Sequence, residues 1–433
     1  MMVYTLVFIL CVEYIGLASR IPILKAVKFS LLASLVIFII LGARHQFKGL
    51  LRYHQGKLLL AFIGLTALSI AHGLIQSYAF ETFTIQVGYF ILFANVFWAV
   101  TKWSQVRTMA TAMILFHAYL VLMNFGKFFA GIRAGRFEAG YFMGDGNDFG
   151  WSLVTFLPFL LIAYRKSSNI LVRGVLLGSA CLMVYGILGT GSRGATLGLA
   201  AQVLYLVLNS NKKAIALVVT TVGLMGVLVF LPDSYKDRMG TIKDYKEDSS
   251  AQGRMRAWKA ATMMALDEPL GVGAGCFNSA FGRSYRDQVV QEEQWGSRRW
   301  ISAHSIYFLT LGEYGFPGLL LLLALLYMTY RRNQVYIHEG KNDVEGIRGP
   351  PMFLMALNTS LIGYAACGVF LGGINYPHLF LLLGLTTRCY ALIDDENESS
   401  ASTAPKSRDV RRKPISPGPR GLHRSPGRRK TEA

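Results

Sequence analysis

Charge is scarce in this chain. Asp, Glu, Lys and Arg make up 16% of its 433 residues, while 53% are hydrophobic; soluble globular domains carry about 25% charged residues. A soluble protein of this composition would need very large cores. Cysteine is scarce too: five residues, at 11, 181, 276, 367 and 389, four of them inside apolar segments and none in a CxxC pair. That spacing excludes a disulfide framework and a cysteine metal site. No nucleotide cradle is present either. GVGAG at 271–275 is followed by Cys276 and by no Walker lysine, so it reads as a flexible loop. MMVYTLVFILCVEYIGLAS lacks a basic leading region and reads as a helix rather than a cleaved signal peptide. No internal repeat relates one half to the other, which argues against the inverted-repeat plan of secondary transporters.

What the chain does have is apolar runs. Twelve are expected to span a bilayer, at 2–19, 29–43, 58–75, 82–101, 108–125, 149–164, 174–189, 195–209, 214–231, 303–330, 351–372 and 375–393. A helix of about 18 residues rises about 27 Å, close to the hydrocarbon thickness. The expected fold class is therefore all-α and polytopic, with about twelve transmembrane helices. With the N-terminus inside, the cytoplasmic loops hold fifteen Lys and Arg and the short outer loops seven, so the positive-inside bias puts both termini in the cytoplasm. Arg20, Lys25 and Lys28 in the first outer loop run against it.

Four regions follow: spans one to nine over 1–231, a large extracytoplasmic, partly helical loop over 232–302, spans ten to twelve over 303–393, and a basic tail over 394–433. The tail has ten Lys and Arg, several prolines and no apolar run; it reads as disordered and is suited to anionic lipid heads or to serve as a topology signal. Net charge is +19, but the basic residues are dispersed and tied to topology, so nucleic acid is not the expected partner. The loop mixes eleven basic with ten acidic residues. Within it a helix is expected from Ser250 to Pro269, with Arg254, Trp258 and Ala261 on one face. Met255, Met263 and Leu266 form an adjacent stripe suited to a membrane surface. Arg256 is about 200° from that of its neighbour-but-one Arg254 and cannot share Trp258's face.

Three polar residues at the expected outer ends stand out. Arg193 lies in the turn GTGSRGA; an arginine at bilayer depth faces a cavity or partner, or else snorkels to the interface. Arg254 is either a site residue or a solvated charge. His304 opens the tenth span; a lone histidine is more often structural than catalytic, yet a neutral imidazole is a suitable general base near pH 7. Glu313 lies about 180° round a regular helix from His304 and is a poor partner for it, although Gly312, Gly315, Pro317 and Gly318 predict an irregular helix.

His304, Ser305, Gly315 and Gly318 together resemble the His-x10-Gly-x2-Gly pattern of the O-antigen ligase and polymerase superfamily. RMRAW (254–258) before the Pro-Leu-Gly-x-Gly loop, SRGA (192–195) and the divergent GDGNDFG (144–150) resemble further motifs of that family, in the same order and at the same topological positions. The resemblance implies a glycosyltransferase of the bacterial inner membrane with its site on the periplasmic side. It would move a glycan from undecaprenyl diphosphate to the hydroxyl of a glycolipid or glycan acceptor, such as lipid A-core. It implies no cofactor and no metal, with His304 as base and Arg193 and Arg254 on the diphosphate. An O-antigen or exopolysaccharide polymerase is the neighbouring alternative, and a secondary transporter the alternative of another class.

Overall fold

Apolar residues recurring every three or four positions, with few prolines between them, give helices throughout the computed structural model. It describes residues 2–129, 141–165, 168–210, 212–214, 249–290, 301–339 and 350–403. The described residues contain no strand and are 83% helical. The principal helices are α1 (Met2–Tyr14), α2 (Phe29–Arg44), α3 (His54–His72), α4 (Gln76–Ala99), α5 (Trp103–Met123), α6 (Gly146–Phe156), α7 (Phe159–Arg165), α8 (Ile170–Gly189), α9 (Arg193–Leu208), α10 (Ser249–Asp267), α11 (Ile306–Glu339), α12 (Pro350–Gly368) and α13 (Pro377–Thr403). Contacts divide the chain into Met1–Ile393 and Asp394–Ala433.

Among the described residues, seven segments are long and apolar enough to cross a membrane: α3, α4, α5, α8, α11, α12 and the pair α6–α7, read as Gly146–Tyr164. Pro158 separates α6 from α7, as expected of a residue that donates no amide hydrogen bond and crowds the preceding turn. Three of the remaining expected spans correspond to the shorter apolar helices α1, α2 and α9, and 375–393 lies within α13. The ninth expected span, most of the Asp233–Ser250 stretch, residues 291–300 and the tail beyond Thr403 lie outside the described residues.

Large apolar side chains line the outer faces of these helices, among them Leu32, Val36 and Ile39 on α2 and Ile170 and Leu171 on α8. Such surface is costly in water and natural against lipid. The centre is built from α6 and α12. Trp151 stacks on Tyr364 with ring centroids 4.7 Å apart, and its indole N–H donates to the Tyr364 carbonyl at 3.1 Å. Gln202 of α9 donates to the Val154 carbonyl at 2.8 Å. Interhelical hydrogen bonds of this kind fix helix register where hydrophobicity alone cannot, because lipid is as apolar as the core.

α11 is 34 residues long, with one non-helical residue, Gly315, at φ 61° and ψ −158°. At about 1.5 Å per residue it runs about 51 Å, well beyond a bilayer core. The kink expected from its glycines and Pro317 is present, and it has a specific cause: the backbone of Pro269 and Gly271 presses on Gly315 where a side chain would stand.

Candidate functional site

One end of the bundle gathers the starts of α6, α9, α11 and α13 and the ends of α3 and α12. α10 lies across it. The alanine-rich face of α10 (Ala257, Ala260, Ala261) and Met264 make a small core with Phe277, Phe281, Tyr285 and Ala303. The neighbouring face carries Arg254 and Trp258, as the helical period predicts, while Ala261, expected with them, belongs to the core, and Met263 of the expected surface stripe packs against it. Met255 and Leu266 remain exposed on the outside.

Trp258 connects this helix to the start of α11. Its indole N–H donates to the carbonyl of Ala303 at 2.9 Å. Its ring stacks on Phe308 at 4.8 Å and 8° and approaches Phe370 at 6.0 Å. His304 follows, with φ at 47°. That left-handed backbone is uncommon for a residue with a side chain, carries about 1–3 kcal/mol of strain, and concentrates at functional sites. Gly372 comes so close that an added Cβ would lie 3.3 Å from the His304 Cα and from the Ser305 amide nitrogen.

The His304 side chain is exposed on one side, but the wall around it strips part of its hydration. That desolvation, and then the Arg254 guanidinium, hold the imidazole below its ordinary pKa, while the Asp145 carboxylate opposes them. A cation and an anion thus act on His304 in opposite senses, with the net shift downward, and its neutral, proton-accepting form is favoured near pH 7.

Arg193 opens α9, whose N-cap Ser192 accepts the Ala195 amide at 3.3 Å. Its neighbour Gly194 lies under the 370–371 connection: a Cβ there would be 3.3 Å from both Phe370 and Leu371. Since Gly372 touches His304, one short connection bridges the Arg193 turn and the histidine. Arg193 is half-buried at this end.

GDGNDFG supplies the acidic side. The Asp145 carboxylate caps α6, accepting the amides of Asn147 at 2.7 Å and Asp148 at 3.0 Å. Tyr376 donates a hydrogen bond to Asp148, and burial together with that carboxylate pushes its phenol well above the ordinary range. Asp145 lies within the GDGNDFG motif, but its relation to His304 is not legible in the sequence, and neither Gly372 nor Tyr376 is legible as a site residue. The spans expected at 351–372 and 375–393 hide the connection; α12 in fact ends at Gly368 and α13 begins at Pro377. The only signal is the turn-forming composition of GGINYP at 372–377.

GVGAG is not a flexible loop. Residues 271–274 are buried. The Leu74 amide donates to the Val272 carbonyl at 2.9 Å, and the Val272 and Gly273 amides donate to the carbonyls of Gly312 and Glu313 at 2.9 and 3.0 Å. The Ala274 amide donates to Ser69 Oγ at 3.2 Å. The Phe316 amide turns to the Pro269 carbonyl at 3.2 Å and Pro317 has no N–H, so the Gly312 and Glu313 carbonyls lack their donors four residues on, and this loop satisfies them. Glu313 faces the loop, not His304. All five cysteines are free. Among the described residues no three His, Cys, Asp or Glu side chains converge as a metal cluster.

Residues 178–323 match the family model described as O-antigen ligase. The matched segment begins within α8, includes Arg193, Arg254 and His304, and ends within α11. No curated protein matches the chain.

Proposed function

We propose that this chain, whose central segment places it in the O-antigen ligase superfamily, transfers a glycan from undecaprenyl diphosphate to an acceptor hydroxyl on the extracytoplasmic side of a membrane. The observation that carries the proposal is the Trp258 hydrogen bond that joins the Arg254 helix to the peptide entering His304, with the Arg193 turn reached through the 370–372 connection.

In this reading the acceptor oxygen attacks the anomeric carbon, and its proton passes to the neutral imidazole of His304. The bond from the anomeric carbon to the diphosphate oxygen breaks, and the lipid diphosphate leaves with that electron pair. Its negative charge grows as the bond opens. Arg193 and Arg254 bind it more strongly late in the reaction than early, which is what lowers the barrier. A guanidinium also fits a phosphate as a two-pronged donor. General-base catalysis by His304 contributes about 10²–10⁴-fold. The acceptor is a glycolipid or glycan such as lipid A-core, and no residue role in this scheme requires a metal.

Ligation and polymerisation share donor and leaving group and differ in what approaches His304. Purified protein given lipid-linked glycan alone, then acceptor, tests the proposal. Ligation yields nothing until acceptor arrives and then one discrete shift. A ladder of longer lipid-linked chains from donor alone identifies a polymerase, and no consumption of donor under either condition removes the transferase reading.

A further inference from the structure

We propose that Trp258 is a positioning residue for His304, clamping the carbonyl that precedes it so that the histidine keeps its left-handed backbone and presents its ring beside Arg254. This rests on His304 being the base of the proposed transfer.

Three observations carry it. First, the strained residue and the clamp are adjacent. The Trp258 N–H holds the carbonyl of Ala303, the peptide whose orientation sets the entry to His304. Backbone at positive φ persists at a residue with a side chain only where its surroundings over-determine it. Second, the other wall is built as closely. Gly372 stands where any Cβ would press on His304 Cα and on the amide nitrogens of His304 and Ser305. The peptide is thus fixed by an indole hydrogen bond and by the close approach of a glycine. Third, the clamp is fixed to both partners it relates. Trp258 lies one helical turn after Arg254 on α10, and its ring stacks flat on Phe308 of α11. One side chain therefore sets the spacing between the histidine and the cation, and a near-attack arrangement is sensitive to shifts of about 1 Å.

Stacking and hydrogen bonding separate by substitution. Trp258→Phe keeps an aromatic ring on Phe308 and removes the N–H. Phe308→Leu removes the stack and leaves the N–H. Gly372→Ala presses on the His304 backbone independently of the indole and serves where the tryptophan variant does not fold. Each is purified and reconstituted, its melting temperature recorded, and its kcat, donor KM and pH profile measured beside His304→Ala. Trp258→Phe and Gly372→Ala should each lower kcat about tenfold, with donor KM within about twofold, because the base is displaced while the diphosphate site is not. The acid limb of kcat for Trp258→Phe should move upward in pH, since the released imidazole leaves the field of Arg254. Phe308→Leu should keep kcat within about threefold and leave the acid limb in place.

Wild-type kcat and acid limb in Trp258→Phe overturn the inference, as does a loss in Phe308→Leu equal to that in Trp258→Phe, which would mean packing alone. If His304→Ala is inactive while Trp258→Phe matches wild type, the clamp is wrong and the base stands. If His304→Ala is fully active, both fall together.

Discussion

The carboxylate of Glu313 accepts the backbone amide of Phe277 at 3.3 Å. Glu313 is only 4% exposed, and Gly275 donates to it as well. An acid inside an apolar helix invites a reading as a proton carrier. Its geometry instead ties the 271–277 loop to the kinked start of α11.

Glu313→Gln should therefore retain at least about half of the activity, because the amide oxygen still accepts the Phe277 hydrogen bond. Glu313→Ala leaves a buried amide without its acceptor, at a cost of about 1–3 kcal/mol, and should lower the melting temperature. Inactivity of a well-folded Glu313→Gln would identify a titrating role and revive the transporter reading.

Gly315 combines φ 61° with ψ −158°, a conformation essentially reserved for glycine. Gly315→Ala would also drive a Cβ into the Pro269 carbonyl oxygen. It should destabilise by at least about 1–3 kcal/mol. Gly64 in α3 has open space around it, and Gly64→Ala should be neutral or stabilising by about 0.5–1 kcal/mol. Thermal unfolding in detergent compares the two. Equal melting temperatures would contradict the assignment of the kink to backbone geometry.

Arg193→Lys should lose about tenfold or more in kcat, because an ammonium does not reproduce the two-pronged phosphate contact. Arg254→Ala should lose about 10²-fold, by analogy with removal of one preorganised donor, and Arg256→Ala much less. Turnover in reconstituted vesicles measures all three. Wild-type rates for Arg193→Lys, or equal losses at 254 and 256, would remove the assigned roles.

The pH profile gives a signed test. The reaction needs neutral His304, whose pKa lies below its ordinary value because desolvation and Arg254 disfavour the imidazolium. Activity should hold through about pH 6.5 and fall only below it. Asp145 stabilises the imidazolium, so Asp145→Asn should lower the pKa further and move the acid limb to lower pH. Asparagine still caps α6, which keeps the fold out of the comparison. A limb that moves upward or stays would show that Asp145 does not face the histidine's charge.

Sidedness follows from the loop charges. A reporter fused at Ser250 should read extracytoplasmic, and one at the C-terminus cytoplasmic. Cytoplasmic activity at Ser250 would invert the topology and place the site on the wrong face for the proposed donor.

The apolar runs, the helix carrying Arg254 and Trp258, and the irregularity near Gly315 were all legible in the sequence. Each depends on residues within a few turns of one another: hydropathy, a 3.6-residue period, and the limits of glycine and proline. The left-handed turn at His304, the 370–376 connection against it, the acidic side formed by Asp145, Asp148 and Tyr376, and the anchoring of the 271–277 loop to Glu313 were not. They join α3 to the 271–277 loop, α10 to α11 and the α12–α13 connection to α6 and α9, across 36 residues from Phe277 to Glu313 and 205 from Ser69 to Ala274. Such pairings depend on how helices of nearly uniform apolarity settle against one another. Hydropathy is blind to that choice, because inside a membrane every helix face is apolar and only shape and hydrogen bonding distinguish neighbours.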